Sequence, residues 1–354
     1  MNLNPNYRRH DIDWLRVISI GLLIVYHVAI GFQSWGLMIG FITNKESWAG
    51  LWTPMSLINV WRIPILFFVS GMGVFFALQK RNWVELIKER SRRILLPFVF
   101  GALFVVPVHI LILQSYYSWQ LSFSPGVSHL WFLGNIFSYT LLFLPLFVWI
   151  KKYPNGRLVS GLKRLFSMPF GFCIVLIIFA MEALVLKPIP FELYAMTAHG
   201  YFLGLMAFFF GYVFVLCGKP ILDNLLTWRW VFFLMALFMS IYRINQGQMA
   251  AYLVSIESNL WIFSILAFAY KHLNYPSQVL RYLSQSAYPV YIIHMIVLYA
   301  ASYFIFPLNF DVRLKFLVVV VVTLAGSLGL YECLIRRWVF IRPFFGLKTN
   351  QSVS

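Results

Sequence analysis

Apolar positions along this chain neither alternate nor form narrow stripes. They come in runs of about twenty residues, separated by short polar segments rich in Lys and Arg. A run of that length is what a helix needs to cross a hydrocarbon core of about 30 Å. Ten spans are predicted, at about 12–33, 54–78, 94–114, 130–150, 169–187, 200–217, 230–242, 251–270, 285–306 and 314–335. The one at 230–242 is the shortest. No long polar stretch remains between them. Residues 1–354 therefore read as one all-α, polytopic membrane helix bundle, with tails at 1–11 and 336–354.

Composition agrees with that pattern. A soluble chain of 354 residues could not hide a content that is 61% hydrophobic and only 11% charged. The net charge of +17 would point to nucleic acid if it lay on a soluble face, but it lies in the loops. Of the 28 basic residues, 21 fall in alternate loops on one side, at Arg8/Arg9, 80–93, 151–164, 219–229, 271–281 and 336–348. Such an excess marks the cytoplasmic side, so both termini are expected there and the partner is lipid, not nucleic acid. The first apolar run is too long for a cleavable signal peptide and lacks a small-residue cleavage site. Cys173, Cys217 and Cys333 have no metal or redox spacing; they read as packing residues, and no metal is expected.

Candidate chemistry starts at Arg8–Phe32, RRHDIDWLRVISIGLLIVYHVAIGF. Arg16 and His27 are eleven positions apart, about 1100° of helix, so both lie on one face, separated by about 16 Å. Asp13, three residues before Arg16, is close enough to pair with it. An ionisable residue inside a span is a functional-site hypothesis by default. The plainer reading is an interfacial Arg pair and a His satisfied by a neighbouring helix.

The segment KRNWVELIKERSRR at 80–93 reads as a short amphipathic surface helix. Arg90 and Arg93 form one patch on it, suited either to anionic lipid or to the phosphates of a nucleotide-bearing donor. Arg62 sits near the depth of His27 and precedes IPILFFVSGMG, whose Ser70, Gly71 and Gly73 permit close helix approach. Further along come His109, then His129 and Asn135 in HLWFLGN, then Glu182, Glu257, Asn259 and His294. Each alone reads as a satisfied packing polar group; together they suggest a polar chamber in one leaflet. Glu332 and Arg336 form an i,i+4 pair. There is no glycine-rich phosphate loop, nucleophile elbow or inverted pair of broken spans.

These residues resemble the acyltransferase-3 family of integral-membrane acyltransferases. The resemblance rests on Arg16 and His27 in the first span, Arg90-x-x-Arg93 before the third, FFVSG in the second, HLWFL opening the fourth, and the Ser284-to-His294 stretch of the ninth. It covers essentially the whole chain, and the DIDWLR opening is most similar to the glucan biosynthesis branch. Arg62 is not part of the general pattern.

The resemblance implies an enzyme of the bacterial cytoplasmic membrane. It would move an acyl group, acetyl by default or succinyl, from cytosolic acyl-CoA to a hydroxyl of an extracytoplasmic or lipid-linked glycan. In that reading Arg16, Arg90 and Arg93 hold the CoA phosphates and His27 is the general base, oriented by Glu182 or Glu257. Arg62, His129 and Asn135 could stabilise the oxyanion, with His294 beside the substrate. Transfer is either direct or through an acyl-His27 intermediate. The competing class is a proton-coupled exporter of glycan or lipid, which would have no use for the Arg90/Arg93 patch. A membrane scaffold would leave the Arg16/His27 face unexplained. No feature of the sequence speaks to oligomeric state.

Overall fold

The computed structural model describes residues 8–168, 170–247 and 249–349; of the two tails, 1–7 and 350–354 lie outside the described residues. All regular structure among the described residues is helical. In chain order, α1 is His10–Ile30, α2 Trp52–Lys80 and α3 Trp83–Tyr116, followed by α4 (Trp131–Lys152), α5 (Arg157–Ser167) and α6 (Gly171–Leu186). Then come α7 (Ala198–Cys217), α8 (Lys219–Gln246), α9 (Ala251–His272), α10 (Gln278–Ile305) and α11 (Val312–Leu330). Nine described helical segments are long and apolar enough to cross a membrane, and the pair α5 and α6, bent by 102°, makes a tenth if counted as one.

Two predicted spans take a different form. The run at 230–242 is the middle of the 28-residue α8. Its charged first turns, with Lys219, Asp223 and Arg229, mask it in an apolar-run reading. Gly218 and Gly247, at φ 69° and 71°, bound it. The run at 169–187 becomes α6, whose 16 residues are short for a span and follow the amphipathic α5.

The helices group into two units. The first comprises residues up to Ser19, Leu57–Lys88 and Asn135–Ser277; the second comprises Ile20–Ser56, Glu89–Gly134 and everything from Gln278 on. In the first unit α2 and α7 cross at glycines. A Cβ on Gly71 would meet the Phe208 carbonyl, and one on Gly211 would meet the Phe68 carbonyl. Backbones can come this close only where both side chains are absent. Around the crossing, Phe147 and Tyr212 stack with centroids 3.7 Å apart. Pro64, inside α2, has no N–H to give the carbonyl four residues back. That carbonyl, of Val60, accepts instead from the Ser258 hydroxyl at 2.6 Å and the Tyr194 hydroxyl at 3.1 Å.

In the second unit α10 packs against α3 and α11. Two π turns, Ser91–Leu95 and Gly101–Val105, interrupt α3. After α11 and its π turn Tyr331–Ile335, the chain folds into a hook that returns to α3. Phe344 and Phe345 pack on Phe100, at 4.8 and 5.6 Å between centroids. Buried Arg342 donates to the Arg336 carbonyl at 3.0 Å through Nε. Gly346 has φ 71°, and a Cβ there would lie 2.9 Å from the Arg93 carbonyl and against the Tyr288 ring.

The glycine crossing makes a contrast that thermal unfolding in nanodiscs can check. Gly71→Ala and Gly211→Ala should each destabilise by about 1–3 kcal/mol, because backbone must move to admit the methyl. Gly73→Ala meets nothing within 4 Å and should be neutral or slightly stabilising. Equal melting points for Gly71→Ala and Gly73→Ala would contradict the crossing.

Candidate functional site

In the second unit an imidazole chain surrounds His27. His294 Nδ1 lies 2.6 Å from the Tyr291 carbonyl oxygen. A carbonyl only accepts, so Nδ1 carries the proton, and Nε2 of the neutral ring carries the lone pair. His27 Nδ1 sits 2.9 Å from that Nε2, so His27 donates to it. The lone pair of neutral His27 therefore falls on its own Nε2. The two rings are nearly parallel, at 7° and 5.2 Å.

His129, from the HLWFL motif, stands edge-on to His294 at 5.1 Å. Its Nε2 donates to the Ile292 carbonyl at 3.0 Å, while the Tyr291 hydroxyl donates to its backbone oxygen. His109 continues the cluster, 5.7 Å from His129 and 5.0 Å from the Tyr299 ring. Among the described residues no group of three or more His, Cys, Asp or Glu could hold a metal ion.

The same unit carries Arg90 and Arg93. Arg90 closes the helical segment Trp83–Arg90, and Arg93 sits in the first π turn of α3, 39% exposed and 3.4 Å from Glu89. The Gly346 hook packs directly on the carbonyl of Arg93.

The first unit holds Glu182 and Glu257, the carboxylates expected to orient His27. Glu257, fully buried on α9, accepts from Arg243 Nε at 2.8 Å, Arg243 Nη2 at 2.9 Å and the Ser240 hydroxyl at 2.7 Å. Arg243 also reaches Glu192 at 3.5 Å. Burial holds the Glu192 carboxyl above the usual carboxylate range, and Arg243 offsets part of that. Glu182 and His199 form a second buried pair, 2.8 Å apart, walled by the rings of Phe191 and Tyr194. Arg62, 2% exposed, donates to Asn59 at 2.8 Å. Asn135 lies one turn before Tyr139, whose hydroxyl donates to the Tyr201 carbonyl at 2.6 Å. At the start of α1, Asp13 lies 3.5 Å from Arg16 and 2.8 Å from Arg8, while Arg9 pairs with Asp11 at 2.6 Å.

Thus His27, His129, His294, Arg90 and Arg93 belong to one unit, and Arg16, Arg62, Asn135, Glu182 and Glu257 to the other. The group on His27 Nδ1 is an imidazole, and both carboxylates have cationic or imidazole partners of their own. His199 and Arg243 received no role from the sequence. Each lies at the end of an apolar run, where a single polar residue resembles an ordinary boundary.

The Arg243–Glu257 pair generates a stability prediction. Glu257→Leu takes the two shortest carboxylate contacts from a guanidinium only 11% exposed and should cost about 3–5 kcal/mol, whereas Glu257→Leu with Arg243→Met should recover most of it. Denaturant unfolding of the two variants checks this; a double variant no more stable than the single one would argue against a coupled pair.

A family model described as an acyltransferase domain matches residues 9–332. No curated protein and no solved structure matches the chain. The matched residues take in Arg16, His27, the Arg90-x-x-Arg93 turn and His294, and they stop short of the hook that packs on Arg93. With the domain covering nearly the whole chain and the helices able to span a membrane, this protein belongs to the acyltransferase-3 family of integral-membrane acyltransferases.

Proposed function

We propose that this acyltransferase is an O-acyltransferase that takes an acyl group from acyl-CoA and delivers it to a glycan hydroxyl. The observation that carries the reading is the directed hydrogen-bond chain from His27 through His294 to the Tyr291 carbonyl. It leaves the basic lone pair on His27 Nε2, where a general base needs it. In the reaction the acceptor hydroxyl gives its proton to Nε2 as its oxygen attacks the thioester carbonyl. The tetrahedral intermediate then expels the CoA thiolate. His294 accepts from the His27 Nδ1–H throughout, so the imidazolium that forms stays oriented. His129 is the nearest further imidazole of the cluster, but its one N–H goes to the Ile292 carbonyl, so the neutral ring has no donor left for the oxyanion.

The donor's phosphates are assigned to Arg90 and Arg93. The partly exposed Arg93 guanidinium has room for a bidentate phosphate contact. Acetyl-CoA is the first donor to test and succinyl-CoA the second. The acceptor is a glycan of the glucan type, and the membrane is the bacterial cytoplasmic membrane with the basic loops inside.

Thiol release by purified protein in nanodiscs, with a crude periplasmic glycan fraction as acceptor, is the test. His27→Ala should lower acceptor-dependent release about 100-fold or more. His294→Leu should lower kcat about tenfold while leaving the acyl-CoA KM unchanged, and His294→Gln, which can still accept from His27, should retain more activity. Arg93→Ala should raise the acyl-CoA KM. Undiminished release by His27→Ala would remove the base, and absence of CoA binding in the wild type would favour the exporter reading.

A further inference from the structure

One feature of the second unit has no part in the transfer chemistry above. The loop between α1 and α2 and the end of α3 enclose a cleft of about 400 Å³, lined by Ser34, Asn44, Lys45, Ser47, Tyr116 and Tyr117. Its lining is divided between aromatic faces and hydroxyl, amide and ammonium groups, and it includes no carboxylate. A site built this way offers little to a cation and little to a purely apolar ligand.

The walls are held in place. The Thr43 N–H donates to the Tyr117 hydroxyl at 3.0 Å. The Asn44 N–H donates to the Gly31 carbonyl at 2.8 Å, and its side-chain oxygen accepts from buried Lys315 at 3.3 Å. Lys315 donates as well to the Phe306 carbonyl at 2.9 Å. The Tyr117 ring carries Trp119 stacked on it, with centroids 5.2 Å apart and planes at 24°. Trp119 does not itself line the cleft, but it is 49% exposed and extends the aromatic surface of the cleft-lining Tyr117.

The cleft also lies next to the imidazole chain. Gly31, to which Asn44 is bonded, is four residues after His27 on the chain, about 6 Å of helical rise. Phe41, three residues before Asn44, packs on the His27 ring at 5.7 Å and on Tyr299 at 5.8 Å. Tyr299 donates to the Gly40 carbonyl at 2.5 Å and faces His109. The cleft floor and the wall of the histidine cluster are therefore one packed layer.

From these observations we infer that the cleft between the α1–α2 loop and the end of α3 is a saccharide subsite, with one sugar ring stacked on the Tyr117/Trp119 face. A pyranose has an apolar C–H face that suits an aromatic plane and a rim of hydroxyls that suits Ser34, Ser47, Asn44 and Lys45. This rests on the glycan acceptor of the proposed function and adds where that acceptor is gripped.

Two measurements separate the subsite from the reaction. In the first, wild-type protein in nanodiscs, without donor, is bound to an array of linear and branched glucan oligosaccharides. Trp119→Ala and Tyr117→Ala are run beside it, with Trp230→Ala, an exposed tryptophan of the first unit, as control. Loss of either aromatic face should weaken glycan binding about tenfold, and the control should not. In the second, steady-state thiol release should show a raised glycan KM for Trp119→Ala and an unchanged acyl-CoA KM. Glycan binding that is absent from the wild type, or equal in all four proteins, would overturn the subsite even if thiol release proceeds. Binding that depends on Trp119 without any thiol release would keep the subsite and remove the acyltransfer reading.

Discussion

A polar group buried in apolar surroundings costs several kcal/mol unless something answers it, and in a membrane-spanning chain water is not there to do so. That constraint explains most of the side-chain geometry in this protein. Pro64 orphans the Val60 carbonyl, and two hydroxyls from distant segments converge on it. Glu257 is fully buried and takes three donors. Lys315 is buried and is answered by a carbonyl and an amide oxygen. Each of these pins one helix or loop to another, so polar satisfaction and helix registry are the same event.

The constraint also sets the direction of the histidine chain. A backbone carbonyl has no proton to give, and placing one against His294 Nδ1 determines the tautomer of two rings in succession. A carboxylate in that place would have oriented His27 equally well, but at the cost of a buried charge. A neutral imidazole ending on a carbonyl does the same orienting without one. Glu257 and Glu182 in the first unit serve Arg243 and His199 instead, within their own unit.

Close packing supplies the remaining precision. The glycines of α2 and α7 bring two backbones into contact, and Gly346 lets the C-terminal hook lie on the carbonyl of Arg93. The hook follows the last residue matched by the family model, so support for the Arg93 turn comes partly from a segment outside the matched domain. A π turn at the same place departs from regular helix geometry, and such turns persist where neighbours hold them.

Much of this protein was legible in the sequence because some properties are local. Run length and apolarity determine that a segment is a helix able to span, and the Arg16–His27 spacing determines that both lie on one side of α1. The motif spacing likewise sufficed to identify the family. Where a polar residue interrupts a run, as at the start of α8, the same local rule mislays a helix boundary. What the sequence could not decide is which polar group meets which. His27 and His294 are 267 residues apart, and Tyr117 reaches Thr43 across 74. Helical periodicity relates residues only a few turns apart, so such meetings are decided by the tertiary packing of helices, where one hydrogen bond too few is costly enough to select the partner.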